Sequence, residues 1–186
     1  HPGTQRKPEP MTATPTPKPY AVAPASPWLL LWVWLPLLAA GVLNALTSPR
    51  NGLTLGISLF VLATGIALHW AFHRRRISVQ GKQLEVVSTF YRKRVNVADI
   101  RLEQARVVDL AEHHEYRPGF KTNGFGMPGF QSGHFHMRGG GKGFCLLTDH
   151  SRVLVLPLRD GSLLLVSPEH PRVLLDDLKR LAGASA

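Results

Sequence analysis

The chain has 186 residues, a formal net charge of +10 and a mean hydropathy of -0.02, averages that would suit one soluble basic domain. One cysteine excludes a scaffold stapled by intramolecular disulfides, and the composition excludes a collagen-like chain, a long coiled coil and a wholly disordered chain. The averages conceal a division by position: residues 28–72 hold one Arg, one His and no Lys, Asp or Glu, whereas residues 74–186 hold 18 basic and 11 acidic side chains.

Residues 1–27 carry eight of the fifteen prolines among Thr and Ala, which interrupts helix and strand alike, so a disordered or polyproline-like tail is predicted there. Met11 opens Met-Thr-Ala-Thr, a stretch suited to a start, and residues 1–10 are set aside from the fold reading.

Trp28 to Leu46 is nineteen residues without a charge, which as a helix spans about 28 Å, close to a hydrocarbon core of about 30 Å. Leu53 to Phe72 is of similar length, and the connector Thr47-Ser48-Pro49-Arg50-Asn51-Gly52 is rich in turn formers. Residues 28–73 are therefore predicted to be a transmembrane helical hairpin, with helices over 28–46 and 53–72. Trp28, Trp32, Trp34 and Trp70 lie towards the side opposite the turn, where indole rings favour the membrane interface, and Pro36 is expected to kink the first helix. A signal peptide fits less well, since no good small-residue cleavage site precedes Arg50, and a soluble bundle fits less well because neither run has a polar face. Arg74-Arg75-Arg76 follows the second run directly while the turn offers only Arg50, so both termini of this multi-pass chain are expected in the cytoplasm. Unpaired Cys145 agrees with a reducing compartment.

From residue 74 onward the pattern becomes short β runs with turn punctuation: 77–80, 84–89, 91–97, 101–110, 135–138, 144–148, 153–158 and 163–167. In the third run Tyr91, Lys93, Val95 and Val97 take one side, and Arg92, Arg94 and Asn96 the other. Seven or eight such strands predict a small antiparallel barrel or sandwich. Ser167-Pro168-Glu169 opens a final helix with Leu174, Leu178 and Leu181 on its apolar side and Asp176, Asp177, Lys179 and Arg180 on its wet side.

Three stretches carry a family likeness: Arg117-Pro118-Gly119-Phe120-Lys121-Thr122-Asn123-Gly124, then Gly126-Met127-Pro128-Gly129-Phe130, then Leu146-Leu147-Thr148-Asp149-His150-Ser151-Arg152-Val153. With the ending Leu163-Leu164-Leu165-Val166-Ser167-Pro168, they resemble the bacterial PH (pleckstrin-homology-like) domain family, over roughly residues 75–182. The resemblance implies a membrane α-helical hairpin followed by an all-β PH-like barrel of about seven strands with one C-terminal helix. It implies the bacterial inner membrane as location, and brings no agreed ligand, catalytic residue or cofactor. His134 and Cys145 stand where less polar or aromatic residues are expected.

No catalytic residue, metal or cofactor is predicted. Gly124-Phe125-Gly126-Met127-Pro128-Gly129 matches G-x-G-x-x-G, but a strand follows rather than a helix and Pro128 lacks an amide, so the glycines are assigned to loop geometry. Nine of the seventeen glycines fall in 119–143 with Phe120, Lys121, Phe125, Met127 and Phe130 among them. These side chains either plug an open barrel end or reach a lipid interface or partner groove. His134 and His136 share a strand face, and His113 and His114 lie between Glu112 and Glu115, but no zinc-type spacing appears. Cys145 reads as a small buried hydrophobe. Arg74, Arg75 and Arg76, with Arg92, Lys93 and Arg94, are candidates for anionic lipid, the alternative being a topology signal and a solvated strand face. Nucleic acid is not expected, since no reading helix or stacking platform is visible. The predicted function is a non-enzymatic membrane-anchored binding or scaffolding module, contacting membrane proteins or itself, with anionic lipid head groups orienting it. The rivals are a metal-dependent or enzymatic accessory using His134 and His136, and a structural subunit of a membrane complex.

Overall fold

A computed structural model describes residues 16–184. In chain order the elements are β1 (Lys18–Tyr20), α1 (Trp28–Thr47), α2 (Gly52–His73), β2 (Arg75–Gln80), β3 (Gln83–Ser88), β4 (Tyr91–Asn96), β5 (Arg106–Val108), β6 (Pro118–Met127), β7 (Phe130–Met137), β8 (Lys142–Leu147), β9 (Val153–Pro157), β10 (Leu163–Val166) and α3 (Pro171–Gly183).

The two apolar runs form helices within a residue or two of the predicted bounds. Asn51 caps α2, its Oδ1 accepting the Thr54 amide at 3.0 Å, because the first helical amides lack partners of their own. The helices meet where the Trp34 ring lies over Gly65; a Cβ there would sit 2.8 Å from that ring. Little of either helix is covered: Leu29 and Val33 of α1 and Gly65, Ala71 and Phe72 of α2 are buried. Leucines, Trp28, Trp32, Phe60 and Trp70 are exposed around both helices.

The strands form two sheets. One is antiparallel in the order β1-β2-β3-β4, and the other runs β5-β9-β10-β8-β7-β6, with β10 and β8 parallel and the other pairs antiparallel. They make an open PH-like sandwich rather than a closed barrel, with ten strands among the described residues where about seven were expected. Ile77, Val79, Leu84, Val86 and Val95 face Phe144, Leu146, Leu154, Leu156, Leu164 and Val166 across the core, and α3 adds Leu174 and Leu178. The six-stranded sheet buries its other face too, in a second cluster of Val108, Leu110, Phe135, Met137, Cys145, Leu147, Val153, Val155 and Leu165. Burial on both faces is why β8, β9 and β10 read as continuous apolar runs instead of alternating ones.

Three expectations are corrected. The predicted disordered tail contains β1, which pairs with β2 at Lys18↔Val79 and Tyr20↔Ile77; proline is admissible in this edge strand. The chain then runs along the domain, with the Ala23 amide donating to Ser167 and Thr148 Oγ1 to the Ala23 carbonyl. Residues 1–15 of that tail lie outside the described residues. The glycine-rich loop is the long hairpin β6–β7, and of the run predicted at 101–110 only Arg106–Val108 is strand. Glycines make the hairpin possible where Gly124 pairs with Gly133: a Cβ on Gly133, whose φ is +104°, would lie 2.7 Å from the Gly124 Cα.

Candidate functional site

The chemistry-bearing residues gather where α2 becomes the sheet domain. Only Arg74 separates α2 from β2, so the domain hangs directly on the helix. Phe72, in the last turn of α2, is 3% exposed and packs its ring 5.3 Å from Phe125 and 5.5 Å, edge-on, from Phe130. Phe130 is fully buried, and Phe125 and Met127 pack against the same core. Two of the five predicted contact residues of the glycine-rich segment, Phe125 and Phe130, therefore seat the end of α2, and a third, Met127, packs into the same core. Phe120 and Lys121 remain, both exposed, on the edge strand β6.

The six predicted basic residues divide by strand parity. Arg74 lies over the Trp70 ring at 5.0 Å. Arg75 turns inward over Phe130 at 5.7 Å with one Nη atom buried and unpartnered, and burial lowers its pKa. Arg76 stands opposite Val87, which stands opposite Arg92, so the two arginines share the outer face of the first sheet. One row further from the helix, Ser78, Glu85 and Arg94 align, and Glu85 takes both Arg92 at 3.1 Å and Arg94 at 3.3 Å. Lys93 points to the other face, into an open depression with Asp99, Arg159 and Asp160. The structure thus brings Arg74, Arg76 and Arg92 to the outside of the helix junction, turns Arg75 inward at the same junction over Phe130, and sends Lys93 elsewhere.

Thr89, predicted as the last residue of the strand run 84–89, and Phe90 instead form the two-residue turn that joins β3 to β4, and neither was among the predicted contact residues. The Thr89 amide donates to the Arg74 carbonyl at 3.0 Å, which places this turn at the end of α2. Phe90 is 69% exposed. The available signal was a Phe in a two-residue connection between strands, where polar or glycine residues are usual.

The histidines do not assemble. His134 lies on the inner face of β7, its ring 5.1 Å from Phe144 and 6.3 Å from Tyr91, with Nδ1 buried and unpartnered. His136 is exposed, and His113 pairs with Glu115 at 3.3 Å. The Glu115 carbonyl accepts the Gly139 amide, which holds the 112–115 segment at the β7–β8 connection, away from His134. Among the described residues no group of three His, Cys, Asp or Glu side chains converges as metal ligands would. Cys145 is fully buried, and that burial pushes its thiol pKa up, away from reactivity.

Residues 64–182 match the model of a family described as bacterial PH domain. No curated protein and no solved structure matches the chain. The match begins inside α2, in keeping with the contribution of Phe72 to the core of the sheet domain.

Proposed function

Because the chain belongs to the bacterial PH domain family, a generally non-catalytic one, we propose that it is a membrane-anchored binding module and not an enzyme. The observation that carries this reading is the surface of α1 and α2: 20 and 22 residues long, apolar on every side and scarcely covered by protein. Such helices are stable when lipid covers them. Arg74, Arg75 and Arg76 beyond α2, against Arg50 alone at the turn, favour a cytoplasmic domain at the bacterial inner membrane with both termini inside.

Arg74, Arg76 and Arg92 then lie where an anionic leaflet would orient the domain, each contributing about 1 kcal/mol. Since the hairpin already supplies attachment, the principal partner is a neighbouring membrane protein or a second copy. The exposed Phe120 and Lys121 on the β6 edge are its candidate contact. The enzymatic rival draws no support from His134 and His136, which face different surroundings.

Topology is tested by cysteine labelling in spheroplasts with Gly52→Cys, where an added side chain meets open space, and Lys82→Cys in the β2–β3 turn. Position 52 should label from outside, position 82 only after permeabilisation, and alkaline carbonate should leave the chain in the membrane. Release by carbonate refutes the anchor, and equal labelling refutes the topology. A photo-crosslinker at position 120 tests the partner contact against one at Glu103; equal yields would remove it.

A further inference from the structure

Outside α1 and α2, three large apolar side chains are exposed among the described residues: Phe90, Phe120 and Val173. Phe90 differs from the other two in what surrounds it. It sits at the tip of a two-residue turn, and the residue before it, Thr89, has φ +54°. A positive φ at the first residue of such a turn is a position for glycine, and a β-branched residue there is strained. Thr89 is also 2% exposed with its Oγ1 buried and unpartnered, so the turn is held against both backbone strain and an unsatisfied hydroxyl.

The turn is fixed to the end of α2 through the Thr89 amide and the Arg74 carbonyl, and Arg74 in turn covers Trp70, which is 63% exposed. Arg92 follows Phe90 by two residues and shares its cross-strand row with Arg76. An exposed aromatic ring is therefore bracketed by Arg74, Arg76 and Arg92 at the level where an apolar helix ends beside an exposed tryptophan. Apolar rings at interfacial depth with cations around them match an anionic bilayer surface, ring towards the acyl boundary and guanidinium groups at the head groups.

We infer that the Thr89-Phe90 turn is a membrane-inserting wedge: Phe90 enters the interfacial region of the leaflet that α2 leaves, and with Trp70 fixes the tilt of the sheet domain on the membrane. This rests on the reading of α1 and α2 as a membrane hairpin. The occupant of the surface is lipid rather than protein because the turn cannot be moved away from the point where α2 leaves the bilayer. Domain orientation, and with it the direction in which the β6 edge faces, follows from that contact.

The test uses the full chain in vesicles of mixed zwitterionic and anionic phospholipid, carrying a nitroxide at one position at a time: Phe60→Cys, Phe90→Cys or Lys82→Cys. Cys145 is buried and does not compete for label. Phe60 is 72% exposed on α2, and Lys82 lies at the far end of β2, about 20 Å along the strand from the junction. The ratio of collision with oxygen to collision with a polar relaxant reports depth. The expected result is a ratio highest at 60, several-fold above the position-82 value at 90, and lowest at 82. A lipid-like ratio at 60 with equal, water-like ratios at 90 and 82 overturns the wedge and leaves the hairpin standing. A water-like ratio at 60 overturns the hairpin and the wedge with it.

Discussion

Replacing Phe72 by Ala tests whether the helical hairpin and the sheet domain are one folded unit. By sequence Phe72 is the last apolar residue of a membrane run, and its truncation would concern lipid contact alone. In the structure its ring is 3% exposed, contacts Phe125 and Phe130 and belongs to the core shared by both sheets. Truncating a buried Phe to Ala costs about 3–5 kcal/mol. The two ring pairs, worth about 0.5–1.5 kcal/mol each beyond area burial, put this site in the upper half of that range. For a chain of this size the loss corresponds to a fall of roughly 8–20 °C in the unfolding midpoint of the sheet domain. The assay is thermal unfolding of the full chain in detergent micelles, followed by near-ultraviolet circular dichroism and by hydrogen exchange at β7 and β8. Phe60→Ala, in the same helix but 72% exposed, is the control and should leave the domain midpoint nearly unchanged. An unchanged midpoint in Phe72→Ala, or equal shifts in both variants, would refute a shared core.

Thr89→Gly should raise stability by about 1 kcal/mol in denaturant titration, because relief of the strained φ and removal of the orphaned hydroxyl outweigh the flexibility of Gly and the lost methyl group; a loss of stability would show that the turn is not strained. Gly133→Ala should cost about 3 kcal/mol, since a Cβ meets the backbone of Gly124 and Asn123 at 2.7 and 2.8 Å. Gly129→Ala, also at positive φ but facing open space, should cost only about 1 kcal/mol, and equal midpoints for the two would remove the close-approach explanation. Hydrogen bonds from Lys18 and Tyr20 hold the Asp177 carboxyl below its usual range. The carboxylate state is thus favoured by folding, and its contribution is complete above the ordinary carboxylate pKa of about 4 and lost as pH falls through the lowered value. Limited proteolysis should release the 18–23 segment at low pH but not at neutral pH, and Asp177→Asn should release it at both; a pH-independent pattern in the native chain would exclude the carboxylate as its latch.

Two unbroken apolar runs, a connector of turn formers and a leucine stripe at 174, 178 and 181 dictated α1, α2 and α3 without help from the rest of the chain. Helical periodicity is local, and its signal is complete within a dozen residues. The central strands were legible for the same kind of reason, since their apolar runs and turn residues stand next to each other in sequence, whereas the PH-like character came from the family resemblance of residues 117–130 and 146–153. What pairs across long separations was not legible. Lys18 and Tyr20 find Asp177 from the opposite end of the chain, and their proline-rich setting concealed an edge strand that needs only its partner's hydrogen bonds. The β6–β7 hairpin lacked alternation because most of β6 faces solvent and its glycines serve backbone approach rather than burial. Arg74, Arg75 and Arg76 formed one cationic run in sequence, yet strand parity turned Arg75 into the core and Arg76 to the outer face. Composition alone set how much positive charge and apolar surface this chain carries. Which of those groups meet at the end of α2 is a property of the packed sheets, since only tertiary contacts bring Phe72, Phe125 and Phe130 together and tie the Thr89-Phe90 turn to Arg74 beside them.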